Sequence, residues 1–161
     1  MKKPDPTPGL VVRYDFLWKD EAKRGWQEGA KERPCAVVLS YQRAKDGELT
    51  AVLAPITHSR PEKGQAALPI PQKVGRYLGL DPDQSWIKLD ELNVTLWNDP
   101  GIVPAEAGKQ WEYGRLPQAL WQPAVDTVRT LVRERRVAMI DRARGDEDSP
   151  GQGRSRGERE R

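Results

Sequence analysis

Apolar residues in this chain come in short runs, parted by proline, glycine and charge. The central run is Cys35-Ala36-Val37-Val38-Leu39, and its unbroken apolar character with the β-branched pair Val37-Val38 reads as a strand. Cys35, Val37 and Leu39 point one way, Ala36 and Val38 the other. A strand apolar on both faces belongs in the wall of a compact sheet or barrel, covered on each side. Arg33 stands at its mouth. Pro34 fixes its own φ and pushes Arg33 into an extended conformation, so a guanidinium is presented at the rim of the most buried element.

The flanking pattern predicts further strands. Leu10 to Trp18 alternates, with Leu10, Val12, Tyr14, Phe16 and Trp18 on the core face and Val11, Arg13, Asp15 and Leu17 on a wetter one. Asp15 there is read as a solvated carboxylate pairing with Arg13 or a loop base, or else as a site carboxylate. Lys19 to Glu32 is a polar loop holding Gly25, Trp26 and Gly29, and structureless loops of this length are often functional. Trp26 is a packing anchor, a lid residue or a stacking platform for a base. After the Arg33–Tyr41 strand, Asp46-Gly47 signals a hairpin turn into a third strand, Leu49 to Thr57, in which Pro55 marks departure from the ladder or an edge. A hairpin centred on Asp46-Gly47 sets Cys35 near His58 and Arg33 near Arg60. Arg33, Thr57, His58, Ser59 and Arg60 then gather at one rim.

Gln72 to Leu80 predicts a helical turn ending at Gly79. Ser85 to Trp97 reads as strand with a bend near Asp90, Ile87 and Leu89 facing the core and Trp86, Lys88 and Asp90 alternating with them. Asn98 to Gly114 is a second long loop, tacked down by Trp111 and Tyr113. Beyond Pro117 the positions Leu120, Ala124, Val125, Val128, Leu131 and Val132 make one face of an amphipathic helix, continuing through Ala138, Met139 and Ile140. Arg129, Arg133, Arg135 and Arg136 are a solvated face or a face that holds RNA phosphates.

Composition narrows this picture. The length of 161 residues suggests one domain over residues 9–141, with a disordered N-terminus over 1–8 and a disordered charged tail over 142–161. Proline and glycine, 14 of each, favour short strands over a helical bundle, giving a mainly β fold with a C-terminal helix. The net charge of +3, to which six arginines and five acids of the tail contribute, permits nucleic-acid binding without requiring it. No apolar run approaches the ~18 residues of a membrane span. Lys2 and Lys3 have no apolar segment behind them, so no signal peptide is read, and a cytoplasmic protein without membrane partners is the expectation.

Candidate chemistry is sparse. One cysteine excludes an internal disulfide, and one histidine leaves no cluster for zinc, so no metal and no cofactor is expected. Cys35 and His58 as cross-strand neighbours hint at a thiolate–imidazole nucleophile; the plain alternative is that Cys35 is a small buried hydrophobe. No Gly-rich phosphate loop and no Gly-x-Ser-x-Gly elbow occurs.

The order of these pieces resembles the MazF/PemK family of toxins from type II toxin–antitoxin pairs. The resemblance is carried by Gly9 to Trp18 with Asp15-Phe16, by Arg33-Pro34 with Val37-Val38-Leu39-Ser40, by Pro55-Ile56-Thr57, and less strongly by Ser85 to Trp97 and by Gly114 with the helix from Pro117. It implies an SH3-like β-barrel with a C-terminal helix, a homodimer, a cognate antitoxin, and a metal-independent endoribonuclease that cuts single-stranded RNA to arrest growth. It implies Arg33 and Thr57 as the catalytic pair. Arg33 suits the stabilisation of a pentavalent phosphorane by two-pronged hydrogen bonds, and Thr57 the orientation of a phosphate oxygen or the relay of a proton. The acceptor of the 2′-proton stays open among His58, Glu32, Glu28 and Arg33 itself. Ser59, Arg60, Trp26 and Lys31 are expected to touch substrate. His58 directly after Thr57, the loop from Asn98 to Gly114 and the tail depart from the compact family pattern. Rival readings are a non-catalytic binding module for RNA or protein, a toxin that binds DNA gyrase, and a plain structural domain.

Overall fold

The computed structural model describes residues 2–143. In chain order the elements are β1 (Leu10–Tyr14), α1 (Lys19–Lys23), β2 (Arg33–Gln42), β3 (Leu49–Thr57), β4 (Ala67–Ile70), α2 (Gln72–Leu78), β5 (Ser85–Lys88), β6 (Glu91–Leu96), β7 (Ile102–Val103), β8 (Gly114–Arg115), α3 (Gln118–Arg133) and β9 (Ala138–Asp141). The fold is mainly β, as expected, and the strands of the described residues join into one nine-stranded sheet.

The β2–β3 hairpin is the centre of the sheet, with β1 antiparallel on the far side of β2. Strand periodicity sorts the side chains into two cores. Val11, Ala36, Val38, Val52 and Ala54 pack on one face, where Ala124, Val128 and Leu131 of α3 cover them. Leu10, Val12, Tyr14, Cys35, Val37, Ala51 and Leu53 pack on the other, with Phe16 and Trp97. Each large apolar side chain buried this way contributes roughly 1.5–3 kcal/mol. The reading of β2 as apolar on both faces holds from Cys35 to Val38. It fails at Leu39, which is exposed because the register shifts between Val37 and Leu39. Both faces of the strand from Cys35 to Val38 are therefore covered within one chain.

Several expectations are corrected. The sheet does not close into a barrel: its path runs β4-β5-β3-β2-β1-β7, with β6, β8 and β9 branching off it. The cause is β3, whose outer edge is shared. Thr50 to Leu53 pair with β6, while Ile56 and Thr57 pair with β5. Pro55, which has no N–H to give, falls in the gap between the two pairings. The bend near Asp90 separates β5 from β6. The helix does not run on through Ile140. Arg135 takes a left-handed conformation at φ 56, and Ala138 to Asp141 instead pair in parallel with β6. Strand β9, not the helix, is thus the last element described.

The polar loop after β1 is also more ordered than expected, since its first third is α1. Glu21 reaches back to the Trp18 amide at 3.0 Å, which caps the helix N-terminus. Asp15 is neither solvated nor in a cleft. It is buried in an ion pair with Arg142 at 3.1 Å. Arg142 and Ala143, expected to open the tail, are both buried. The rest of that tail, 144–161, lies outside the described residues. The N-terminal segment, expected to be disordered, is tied down. Lys3 stacks over Trp97 and Trp111 and donates to the Trp97 carbonyl, and the Trp97 indole donates to the Pro4 carbonyl at 3.0 Å. Burial lowers the pKa of Lys3 against a smaller opposing effect of Asp99. No helix among the described residues is long and apolar enough to cross a membrane.

Candidate functional site

A cleft of about 480 Å³ opens where the starts of β2 and β5 meet the end of β3. Its construction follows from register. Cys35 lies opposite Pro55, not His58, and Ala36 opposite Ala54. The expected pairing is off because the loop spans Arg43 to Glu48, closed by the Arg43 amide on the Glu48 carbonyl at 2.8 Å, so its midpoint falls one residue earlier. The shift between Val37 and Leu39 moves the register further. Continued by two residues, this register sets Arg33 level with Thr57, and both line the cleft.

Arg33 projects with its guanidinium 5.0 Å from the Trp18 ring, a cation–π contact that holds the side chain against the cleft wall. Its Nε is shielded from solvent and has no hydrogen-bond partner. Burial lowers the Arg33 pKa, opposed by Cys35 and Glu21, yet a guanidinium stays protonated at neutral pH. A permanent cation in the lining of the cleft is suited to an anion that is not part of the chain. Thr57 ends its strand in a turn: its Oγ1 accepts from the Ser59 amide at 3.1 Å, which leaves the hydroxyl proton to be donated elsewhere.

The turn after Thr57 brings His58 to the same cleft. Its ring is held on both sides. Nε2 lies 3.1 Å from Asp81 Oδ2, and Nδ1 lies 3.1 Å from Ser85 Oγ and 3.4 Å from the Gln84 carbonyl. Ser59, Arg60 and Lys31 also line the cleft. Three other candidate residues do not. Glu32 turns to Arg13 at 3.4 Å, and Glu28 and half-buried Trp26 lie in the preceding loop, away from the lining. The Cys35–His58 dyad is absent. Cys35 is fully buried in the core opposite Pro55, where burial pushes its thiol far above the usual range despite the opposing charge of Arg33.

The cleft is also lined by residues that carry no site signal in the sequence: Trp18, Pro61, Glu62, Gln65, Ala67, Trp86 and Lys88. Alternation from Leu10 puts Trp18 on the core face. Trp86 and Lys88 lie on the face away from Ile87 and Leu89, both fully buried, as alternation predicts, but only pairing of β5 with β3 carries them to Thr57. Lys88 is held by Asp90 at 2.9 Å and Glu91 at 3.7 Å. The lining thus combines four cationic side chains, one carboxylate and two indoles, a combination suited to a single-stranded polyanion with flat bases. Compared with protein-family models, with curated proteins and with solved structures, the chain finds no match.

Proposed function

We propose that this chain is a metal-independent endoribonuclease of the MazF/PemK kind, the toxin of a type II pair, and that its open sheet is an elaborated form of the SH3-like barrel. The observation that carries the reading is the meeting of Arg33 and Thr57, from different strands, in one basic cleft. On this reading the partners are cytoplasmic single-stranded RNA, a cognate antitoxin and a second copy of the chain.

The reaction is attack of a ribose 2′-oxygen on the adjacent phosphorus. The bond to the 5′-oxygen breaks, leaving a 2′,3′-cyclic phosphate and a 5′-hydroxyl. Arg33 would donate two hydrogen bonds to the non-bridging oxygens, whose negative charge grows in the phosphorane. Thr57 would donate its free proton to one of them, since its lone pair already serves the Ser59 amide. Both ring nitrogens of His58 are engaged by Asp81 and Ser85, so His58 is left out of the proton transfers. Glu62 is the one carboxylate among the described residues lining the cleft; it is assigned to take the 2′-proton, and the departing 5′-oxygen takes a proton from water.

The test is cleavage of a mixed-sequence RNA by the purified protein with EDTA present. Wild type is expected to cut. Arg33→Ala and Thr57→Ala are each expected to lose about 100-fold or more, the loss typical of deleting one donor to a developing oxyanion. Arg33→Lys is expected to fail as well, since an ammonium cannot make the two-pronged contact. Binding without cutting would favour the rival reading of a binding module, and full activity in Arg33→Ala would remove the proposal.

A further inference from the structure

A second, shallower cavity of about 520 Å³ adjoins the cleft and shares Arg60, Pro61 and Trp86 with it; Pro69 and Gln84 complete its wall. Register explains the adjacency. Thr57 pairs with Trp86, and Trp86 pairs with Pro69. Side chains at directly paired positions share a face, so Thr57, Trp86 and Pro69 form one row across three strands, each about 4.8 Å from the next. The row passes from a hydroxyl to an indole to a proline ring.

The polar groups at the edge of this flat apolar wall are specific. The Gln84 amide nitrogen donates to the carbonyls of Ile70 at 3.0 Å and Ser85 at 2.8 Å. Two carbonyl partners fix which end of the amide is nitrogen, so the atom left to accept is the amide oxygen. Arg60 is exposed and offers donors only. A flat surface bordered by one acceptor and one donor matches the face and edge of a nucleobase, which carries both kinds of group on a single rim.

We infer that Trp86, with Pro61 and Pro69 beside it and Arg60 and Gln84 at its edge, is the subsite for a base neighbouring the phosphate held by Arg33 and Thr57. The inference rests on the reading of the adjoining cleft as an RNA site and adds where a base stacks. Trp18 is a weaker platform for that role, because Arg33 already lies over its ring.

Binding can test the subsite separately from cleavage. The probes are labelled decamers of oligo(rA) and oligo(rC), and an abasic ribose–phosphate decamer of the same charge, titrated against the full chain by fluorescence anisotropy at fixed salt. Wild type is expected to bind the base-bearing strands roughly 5- to 100-fold more tightly than the abasic one, the range of single base–aromatic stacks. Trp86→Ala should erase most of that preference while leaving abasic binding unchanged. Trp86→Phe, which keeps an aromatic face, should retain it to within about threefold. Full base preference in a folded Trp86→Ala protein would overturn the subsite, as would equal binding of all strands by wild type. Base-dependent binding through Trp86 without any cutting of ribo-strands would keep the subsite and withdraw the nuclease reading.

Discussion

Arg142 ties the end of the described chain to the segment that leads into Arg33, and Arg142→Ala tests that tie. The guanidinium and the Asp15 carboxylate are 5% and 2% exposed. Arg142 donates to Tyr14 Oη at 2.7 Å, to the Asp15 carbonyl at 2.6 Å, to the Asp15 carboxylate at 3.1 and 3.3 Å, and to the Gln27 carbonyl at 3.1 Å. It therefore joins the end of β1, the loop before β2 and the chain after β9. Truncating one partner of a buried ion pair costs about 3–5 kcal/mol, because the other charge loses its counterion without regaining water. Against a typical domain stability of about 5–15 kcal/mol, this is a large share. With roughly 3 °C of melting temperature per kcal/mol at this chain length, Tm should fall by about 10–15 °C. Urea unfolding of wild type, Arg142→Ala, Asp15→Ala and the double variant measures it. The double variant should be less destabilised than the sum of the singles by about 2 kcal/mol. If both single variants lost less than about 1 kcal/mol, the buried pair would not hold the fold, and the packing of Arg142 beneath the site loop would be refuted.

Three further outcomes are expected. The pH–rate profile of RNA cleavage should lack an inflection near ~6.5, and His58→Ala should keep most activity, because both His58 nitrogens are taken; a histidine-like inflection that vanishes in His58→Ala would make His58 the base instead. Cys35 should resist thiol reagents at pH 8 until the protein is unfolded, since burial disfavours its thiolate; rapid labelling of native protein would contradict the closed wall. Asp46 should titrate at about 2, pulled down mainly by its hydrogen bond from Arg43 and further by the Glu48 amide. Its folded pKa lies below the unfolded value, so its contribution to the hairpin is present above the unfolded pKa and fades as pH falls towards about 2. Carboxyl chemical shifts in wild type and Arg43→Ala measure this, with the midpoint moving back up in the variant.

Local pattern alone was enough for much of the chain. The bounds of β3, the helix stop at Gly79, the break near Asp90 and the inward Ile87 and Leu89 all follow from alternation, turn residues and proline, which act within a few residues of themselves; the Asp46-Gly47 hairpin was enough to gather Arg33 and Thr57 at one rim, but not in the observed register. Other features needed the folded chain. Asp15 and Arg142 are 127 residues apart, and no spacing rule says that a carboxylate on one strand will be buried against an arginine beyond the last. Leu39 is exposed because of a one-residue register shift that only the pairing of two strands defines. Val137 to Ile140 is apolar and suits helix or strand; the left-handed Arg135 and the open edge of β6 decided for strand. Trp86 and Lys88 were legible as outward-facing, but outward faces lead nowhere until β5 is laid beside β3. Sequence periodicity thus determined which side chains point together along each strand, and tertiary pairing decided which strands lie side by side, because a side chain's face is set by its own backbone and its neighbours are set by the rest of the chain.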